Sequence, residues 1–458
     1  MKSVHSSRVH RMGALALYGG IVTAGGIGVG CAAEPGGSDS DVSFSSEEQD
    51  ITAVAGDPLP GITAADFATA KAAFMTQEGL DDGLGPIFNE TACSHCHTEG
   101  AIGGAGVQIE RRFGRFDNGV FNTLANEGGS LRQLQTVGSF TGKSGQACTV
   151  PLEVEPADAT VHAGRLTTPL FGVGLIDSIP DSVIVANASA QPTSIRGTVN
   201  RVKVLLPTPG DTTESVGSTR VGRFGWKAGI ATVVQFSADA YLNEMGITTQ
   251  HCINGNSVLS FATESKPNGK AQPVGCDDRG LGGTGIPAGT DDGVGTCATG
   301  QTEIQDDVAF FAQFMTFLAP VPRTAIDPNI NLQGGTVFNN IGCAGCHLLK
   351  DYTTPAHPAN GVPGNFTFRP RSDFLLHDVG ALGDQIGNDG DSVATTRLMR
   401  TAPLWGLHVR THFLHDGRAT TIPDAIHAHG GQAAASVRAF DALNASDRNA
   451  MLTAMLSD

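Results

Sequence analysis

Cys93-Ser94-His95-Cys96-His97 and Cys343-Ala344-Gly345-Cys346-His347 are two copies of one pentapeptide, C-x-x-C-H. Two thiols at this spacing can add to the two vinyl groups of a single haem, and the adjoining His then lies where its imidazole can ligate the iron. Zinc is the competing use of such cysteines, but a zinc site takes four protein ligands, usually from a second Cys/His pair at short spacing. Neither motif has that pair beside it. The sequence therefore predicts two covalently bound haem c groups. Cys93, Cys96, Cys343 and Cys346 are the attachment points, and His97 and His347 the proximal iron ligands.

The flanks of the two motifs also match. Pro86-Ile87-Phe88-Asn89 leads into the first, and Gly334-Gly335-Thr336-Val337-Phe338-Asn339-Asn340 into the second. Downstream, Thr167-Thr168-Pro169-Leu170-Phe171-Gly172 is echoed by Thr401-Ala402-Pro403-Leu404-Trp405-Gly406. Two acid-capped amphipathic segments then follow, from Asp306 to Leu318 and from Ser446 to Leu456, each closing its unit as a helix. This is an internal duplication, with units over residues 61–321 and 326–458. The first unit begins with a helix over Ala64 to Met75 and is lengthened by two insertions. Ile195 to Val221 alternates as a strand does, and His251 to Gln301 is Gly-rich. The expected fold class is mainly α: two cytochrome-c-like haem domains, with loop-rich, partly β insertions in the first.

Composition fits that expectation. The 458 residues are 40% hydrophobic and 16% charged, enough for two or three domains. Sixty Gly and 23 Pro beside few aromatics suggest many loops around modest helices, with a cofactor supplying part of the core. A net charge of −16 argues against nucleic acid. It suits a basic partner such as a small cationic electron-donor protein, although solubility alone also accounts for it.

At the N-terminus, Lys2, Arg8 and Arg11 precede an apolar run from Met12 to Gly30, so residues 1–30 are expected to be a signal peptide. Gly28-Val29-Gly30-Cys31 resembles a lipobox, with Cys31 as the lipidated residue, and plain secretion with cleavage nearby is the alternative. Residues 31–60, containing the Gly/Ser/acid-rich stretch from Gly36 to Glu48, then form a flexible tether. The expected location is the periplasm or cell envelope, with membrane contact only through lipid. Cys148, Cys252, Cys276 and Cys297 remain, and in an exported chain they are expected to form two disulfides in one of three pairings.

Further landmarks resemble the bacterial di-haem oxidoreductases related to di-haem cytochrome c peroxidases, in the branch described as putative peroxidases or thiol oxidoreductases. They are Gly83 to Asn89, Gly222-Arg223-Phe224-Gly225-Trp226-Lys227-Ala228, Glu244-Met245-Gly246-Ile247-Thr248, Ser372 to Asp378, Arg400 to Gly406, and Leu414-His415-Asp416-Gly417-Arg418-Ala419. The resemblance spans most of residues 61–458. It implies haem-dependent reduction of a peroxide-like oxidant, with electrons arriving from an external carrier.

The distal sides of the haems decide function, because an iron with both faces occupied cannot bind peroxide. At the second haem the resemblance places His429 where the peroxidases present a distal Met, which would make this haem bis-His. His427, His415 and solvent exposure are the alternatives. At the first haem it places Glu244 at the family's distal carboxylate, following Trp226, the Trp that lies between the haems. A carboxylate there can move a proton from one peroxide oxygen to the other. Two alternatives stay open: Met245 ligates the iron and the haem only stores an electron, or Glu244 lies in water. A fully six-coordinate, non-catalytic electron-transfer cytochrome is thus the rival function. Trp405 is expected to pack, and Arg400, Asp416 and Arg418 to pair with haem propionates or with one another. The resemblance also implies calcium between the domains. No compact acidic loop identifies its ligands, which leaves it unassigned.

Overall fold

The computed structural model describes residues 54–142, 145–253, 256–261, 263, 265–273, 276 and 307–458. The expected signal peptide 1–30, Cys31, residues 31–53 of the tether, Cys297 and most of the Gly-rich insertion lie outside the described residues. Among the described residues no helix is long and apolar enough to cross a membrane.

The described helices are α1 (Ala64–Met75), α2 (Cys93–Cys96), α3 (Val173–Asp177), α4 (Asp181–Ala190), α5 (Val233–Met245), α6 (Asp307–Phe317), α7 (Pro328–Asn340), α8 (Val393–Thr396), α9 (Ile422–Ala428), α10 (Ala434–Asp441) and α11 (Ala445–Ser457). Their starts are set by side chains that take up the free first-turn N–H groups. The Thr63 hydroxyl accepts from Asp66 N at the head of α1, and Thr232 does so from Gln235 N at the head of α5. Asp327 accepts from Asn329 N before Pro328, whose missing N–H costs nothing at that position. Asn444 caps α11 through Asp447 N.

Each haem motif is approached by a helix that packs on the last helix of its unit. α1 lies on α6, with the Phe74 and Phe314 rings 4.7 Å apart and Phe67 and Phe314 5.4 Å apart. Phe314 is fully buried, and its replacement by Ala would cost about 3–5 kcal/mol. α7 lies on α11 at closer range, since a Cβ on Gly334 would stand 2.5 Å from Ala450 O. The duplication extends to single bonds. Gly172 N donates to Leu318 O and Gly406 N to Asp458 O, both at 2.9 Å, so each echoed turn is tied to the end of its unit's final helix.

The expectation of a mainly α fold is corrected: helix makes up 33% and strand 17%. Strands are not confined to the first unit's insertions. The largest sheet centres on Ile109–Asp117, which pairs antiparallel with Val161–Leu166, Val120–Asn122 and Leu131–Arg132. Its register sets Ile109 opposite Leu166 and Gly114 opposite Val161. Ile109 to Asp117 has aromatic and β-branched residues without helical period, the composition of a half-buried strand. In the second unit, Tyr352–Thr353 pairs with Thr367–Phe368, and Leu376–Asp378 with Leu398–Arg400. The foreseen strand segment does form, as Arg201–Lys203 against Thr219–Val221.

There are two main cores. The smaller belongs to the second unit and holds Val337, Phe338, Phe413, Phe440 and Met451. The larger runs from Leu59 through α1, α3, α5 and α6, and also takes in Tyr352, Phe366, Phe368, Phe374, Leu375 and Trp405. The chain beyond residue 326 therefore contributes to both cores.

Candidate haem sites

At the first motif, Cys93 to Cys96 form the short helix α2, and His97 N donates to Cys93 O. The loop that follows folds back over it. His97 Nδ1 donates to Gly104 O at 2.9 Å, and a Cβ on Gly104 would stand 1.8 Å from Glu99 O, so only Gly permits this approach. A carbonyl can only accept, which puts the proton on Nδ1 and leaves the Nε2 lone pair as the ligating atom. Burial lowers the His97 pKa to about 4, against the opposing effect of its backbone bonds, so the ring is neutral.

The second motif repeats the arrangement. His347 Nδ1 donates to Arg371 O at 2.9 Å, and burial likewise brings its pKa to about 4. All four motif cysteines are free of disulfides. His347, Cys343 and Cys346 open on a cavity of about 200 Å³ whose wall also includes Trp226, His377, Met399, Arg400, Arg410, His415 and His429. His429, at the end of α9, donates Nδ1 to Ala425 O at 2.7 Å, which again leaves Nε2 as the lone-pair nitrogen. Its charge would act on His347. The alternatives are placed differently. His427 is exposed and bonds Asp441 at 2.8 Å, whereas His415 lines the cavity wall edge-on to Trp226 at 6.3 Å.

Around the first motif, α5 brings up Glu244. Burial and the charge of Glu244 both raise the pKa of the Cys96 thiol, and the Thr167 hydroxyl bonds its sulfur. Glu244 Oε2 accepts from Asn89 Nδ2 at 2.7 Å, while its backbone carbonyl accepts from Asn89 N and Glu90 N. Burial raises the Glu244 pKa, and Asn89 and Arg112 partly offset this. The carboxylate is thus half-buried and fixed rather than free in water. Met245 is fully buried in the larger core.

Trp226 is buried beside the second motif. It lines the second-motif cavity and a smaller one of about 30 Å³ on its other side. Its Nε1 donates to Leu166 O at 2.9 Å, one residue before Thr167, the partner of Cys96. Trp405 packs in the larger core, 6.3 Å from Phe368. Asp416 and Arg418 pair with each other near the surface, and Arg400 spends Nε on Gly225 O and Nη1 on Thr401 O.

The donor set fits haem at both motifs: paired free thiols, and neutral imidazoles whose Nδ1 is already engaged. At the second, an apolar cavity lies between two such imidazoles, with the buried Nε and Nη2 of Arg410 lacking hydrogen-bond partners among the described residues.

The family described as "di-haem oxidoreductase, putative peroxidase" matches residues 138–458. The chain belongs to this di-haem oxidoreductase family. Haem is accordingly its cofactor. The matched span holds the second motif, and the first lies upstream of it. No curated protein matches the chain. A solved structure of hydrazine synthase from Kuenenia stuttgartiensis, pressurised with 20 bar of xenon, is similar at 12% identity, covering 96% of this chain and 100% of that one, with a TM-score of 0.34. A similarity that low carries no argument about fold or function.

Asn89 and Arg410 were not singled out as functional by the sequence. Asn89 carried a signal in the Phe-Asn pair that precedes both motifs, whereas nothing local to Arg410 marks it.

Proposed function

We propose that this di-haem oxidoreductase is an exported c-type peroxidase in which a six-coordinate haem passes electrons to a reactive one. Cys93 and Cys96 hold one haem and Cys343 and Cys346 the other, in units over residues 61–321 and 326–458. The observation that carries the reading is the unequal company of the two motifs. An imidazole, His429, shares the cavity with His347, whereas a fixed carboxylate, Glu244, stands by Cys96. His347 and His429 would hold the second haem's iron between them, which would leave it to electron transfer. The haem at Cys93 and Cys96, when bound, supplies an iron that accepts peroxide and delivers electrons to it.

Glu244 takes the proton from one peroxide oxygen and returns it to the other, while Asn89 keeps the carboxylate in one orientation. Hydrogen peroxide, two electrons and two protons then give two waters. Trp226, joined to the first motif through Leu166 and Thr167, shortens the electron path between the units. The electrons come from a small basic donor protein, steered by the chain's net charge of −16. Placement outside the cytoplasm is supported by the disulfide between Cys148 and Cys276, and anchoring as a lipoprotein rests on the lipobox-like Gly28-Val29-Gly30-Cys31.

EPR and optical spectra of the purified protein, with and without cyanide, test the reading. One high-spin or cyanide-binding haem beside one low-spin haem is expected. Two low-spin haems indifferent to cyanide would replace this reading with a non-catalytic electron-transfer cytochrome.

A further inference from the structure

Arg410 has no role in the reaction proposed above, yet it lines both the cavity between His347 and His429 and the smaller one beyond Trp226. Its Nε and Nη2 are buried without hydrogen-bond partners among the described residues. These two nitrogens form one edge of the guanidinium, the pair that grips a carboxylate through two parallel bonds. Leaving that edge buried and empty is strongly destabilising, so an anion is expected against it. Burial brings the Arg410 pKa down to about 10, a shift Glu99 only partly offsets.

Neighbouring groups do not fill the edge. Arg400 is engaged by backbone carbonyls, and Arg223 by the carbonyls of Ile179 and Val221 and by Asp181. Glu99 lies on the loop after the first motif, where its Oε1 accepts from Thr411 N at 3.1 Å and from the Thr411 hydroxyl. Its Oε2 is buried, and no ion pair joins it to Arg410. The Phe413 ring, 5.7 Å from Arg410 Cζ, adds only a cation–π contact.

We infer that Arg410 is a carboxylate-binding residue whose Nε–H and Nη2–H receive a propionate of the haem attached at Cys343 and Cys346. This rests on the attachment proposed above. A free small carboxylate entering the same cavity has the same chemistry and is the competing source. Because Thr411 ties this segment to Glu99, the site sits where the second cavity meets the loop of the first motif.

The test uses the holoprotein with Arg410→Gln and Arg410→Lys. Haem per chain is counted on denaturing gels, propionate bending bands are read by resonance Raman, and midpoint potentials by spectroelectrochemistry. Arg410→Gln is expected to keep two haems per chain, shift the propionate bands of one haem and lower its potential, with Arg410→Lys restoring part of both. Unchanged bands and potentials would overturn the inference. So would an acetate titration that perturbs the wild-type spectrum and loses that effect in Arg410→Gln while the bands stay put, since the site would then take free carboxylate. Should Arg410→Gln fail to load haem, Glu99→Gln decides. A loss of thermal stability there equal to that of Arg410→Lys, with propionate bands unmoved in both, would make Arg410 a structural partner of Glu99 and sink the assignment. None of these readouts depends on peroxide turnover, and haem count reports attachment separately.

Discussion

His97 and His347 are held by the same bond: each Nδ1 donates to a backbone carbonyl at 2.9 Å, Gly104 O in one unit and Arg371 O in the other. The residues just before those carbonyls also correspond. Leu170 N donates to Gly103 O, and Leu404 N to Pro370 O, both at 2.9 Å. The duplicated turn thus fixes the strip of backbone that aims the imidazole. The two imidazoles are aimed by the same backbone device, although their surroundings differ: His347 also feels His429, Asp373 and His377, and His97 has a further backbone bond to Thr168.

On the proposed ligation of one iron by His347 and His429, replacing either by Ala should convert one low-spin haem to high spin, leaving the other haem as it was. His427→Ala should change nothing, since that ring is spent on Asp441. EPR of the three variants separates them. A His429→Ala protein with its low-spin signal intact would end this ligand assignment, and His415 would be tested next.

Glu244→Gln keeps shape and polarity but removes the titrating proton. Peroxide turnover should fall by roughly 10²- to 10⁴-fold, with little change in the resting spectra. Stopped-flow reaction with peroxide measures this. Met245→Leu should leave the spectra alone unless Met245 is a ligand. Wild-type rates in Glu244→Gln would remove the acid–base role.

Asn89 donates to Glu244 and so favours its charged form, against the upward pull of burial. Asn89→Leu should raise the Glu244 pKa further. A base must be ionised to accept a proton, so the rising limb of the rate–pH profile should move to higher pH. A limb that stays in place would show that Glu244 does not set it.

Glu78 is buried, and burial, with the nearby Asp307 and Asp82 charges, raises its pKa from 4.5 to about 7. The folded chain therefore keeps a proton that the unfolded chain releases. The resulting stabilisation is full below 4.5, falls between 4.5 and 7 and is absent above. Its upper end is about 3 kcal/mol, brought down to on the order of 2 kcal/mol by solvent screening of this partly exposed carboxyl. Thermal unfolding from about pH 5 to pH 8 should show a falling midpoint that Glu78→Gln flattens.

Cys148 and Cys276 are bonded across 128 residues, while the Cys252 side chain and Cys297 lie outside the described residues. Thiol labelling of the denatured, unreduced protein should find none of the four free. Cys148→Ser should cost on the order of 4 kcal/mol, read by denaturant unfolding. Stoichiometric labelling of Cys148 or Cys276 in the wild type would refute the bond.

The helices Ala64–Met75, Asp307–Phe317 and Ala445–Ser457 were legible because composition, apolar spacing and, in the last two, acidic starts are short-range features, whereas the Gly-containing helix Pro328–Asn340 before the second motif was not read. The Ile109–Asp117 sheet was not either. Its partner Val161–Leu166 lies some fifty residues on, and no tight turn joins the two strands to advertise the pairing. At the sites, His97 and His347 stand out in the sequence by their position in the C-x-x-C-H motif. Arg410 and Asn89 matter through what folding sets beside them, an unfilled guanidinium edge and a carboxylate 155 residues away in sequence.

Tyr352, Phe366, Phe368, Phe374 and Leu375 lie in the core built by the first unit, and Asn187 of α4 donates to Tyr352 Oη and Asp373 O. Although the duplication invites cutting the chain near residue 325 to obtain two single-haem proteins, neither fragment would keep its interior. The amino-terminal piece would bare the seat of five aromatic and aliphatic side chains, and the carboxy-terminal piece would expose those side chains to water. Once the copies had interlocked in this way, one motif could no longer be discarded by deleting its half. Each centre has to be silenced by point substitution within the intact chain.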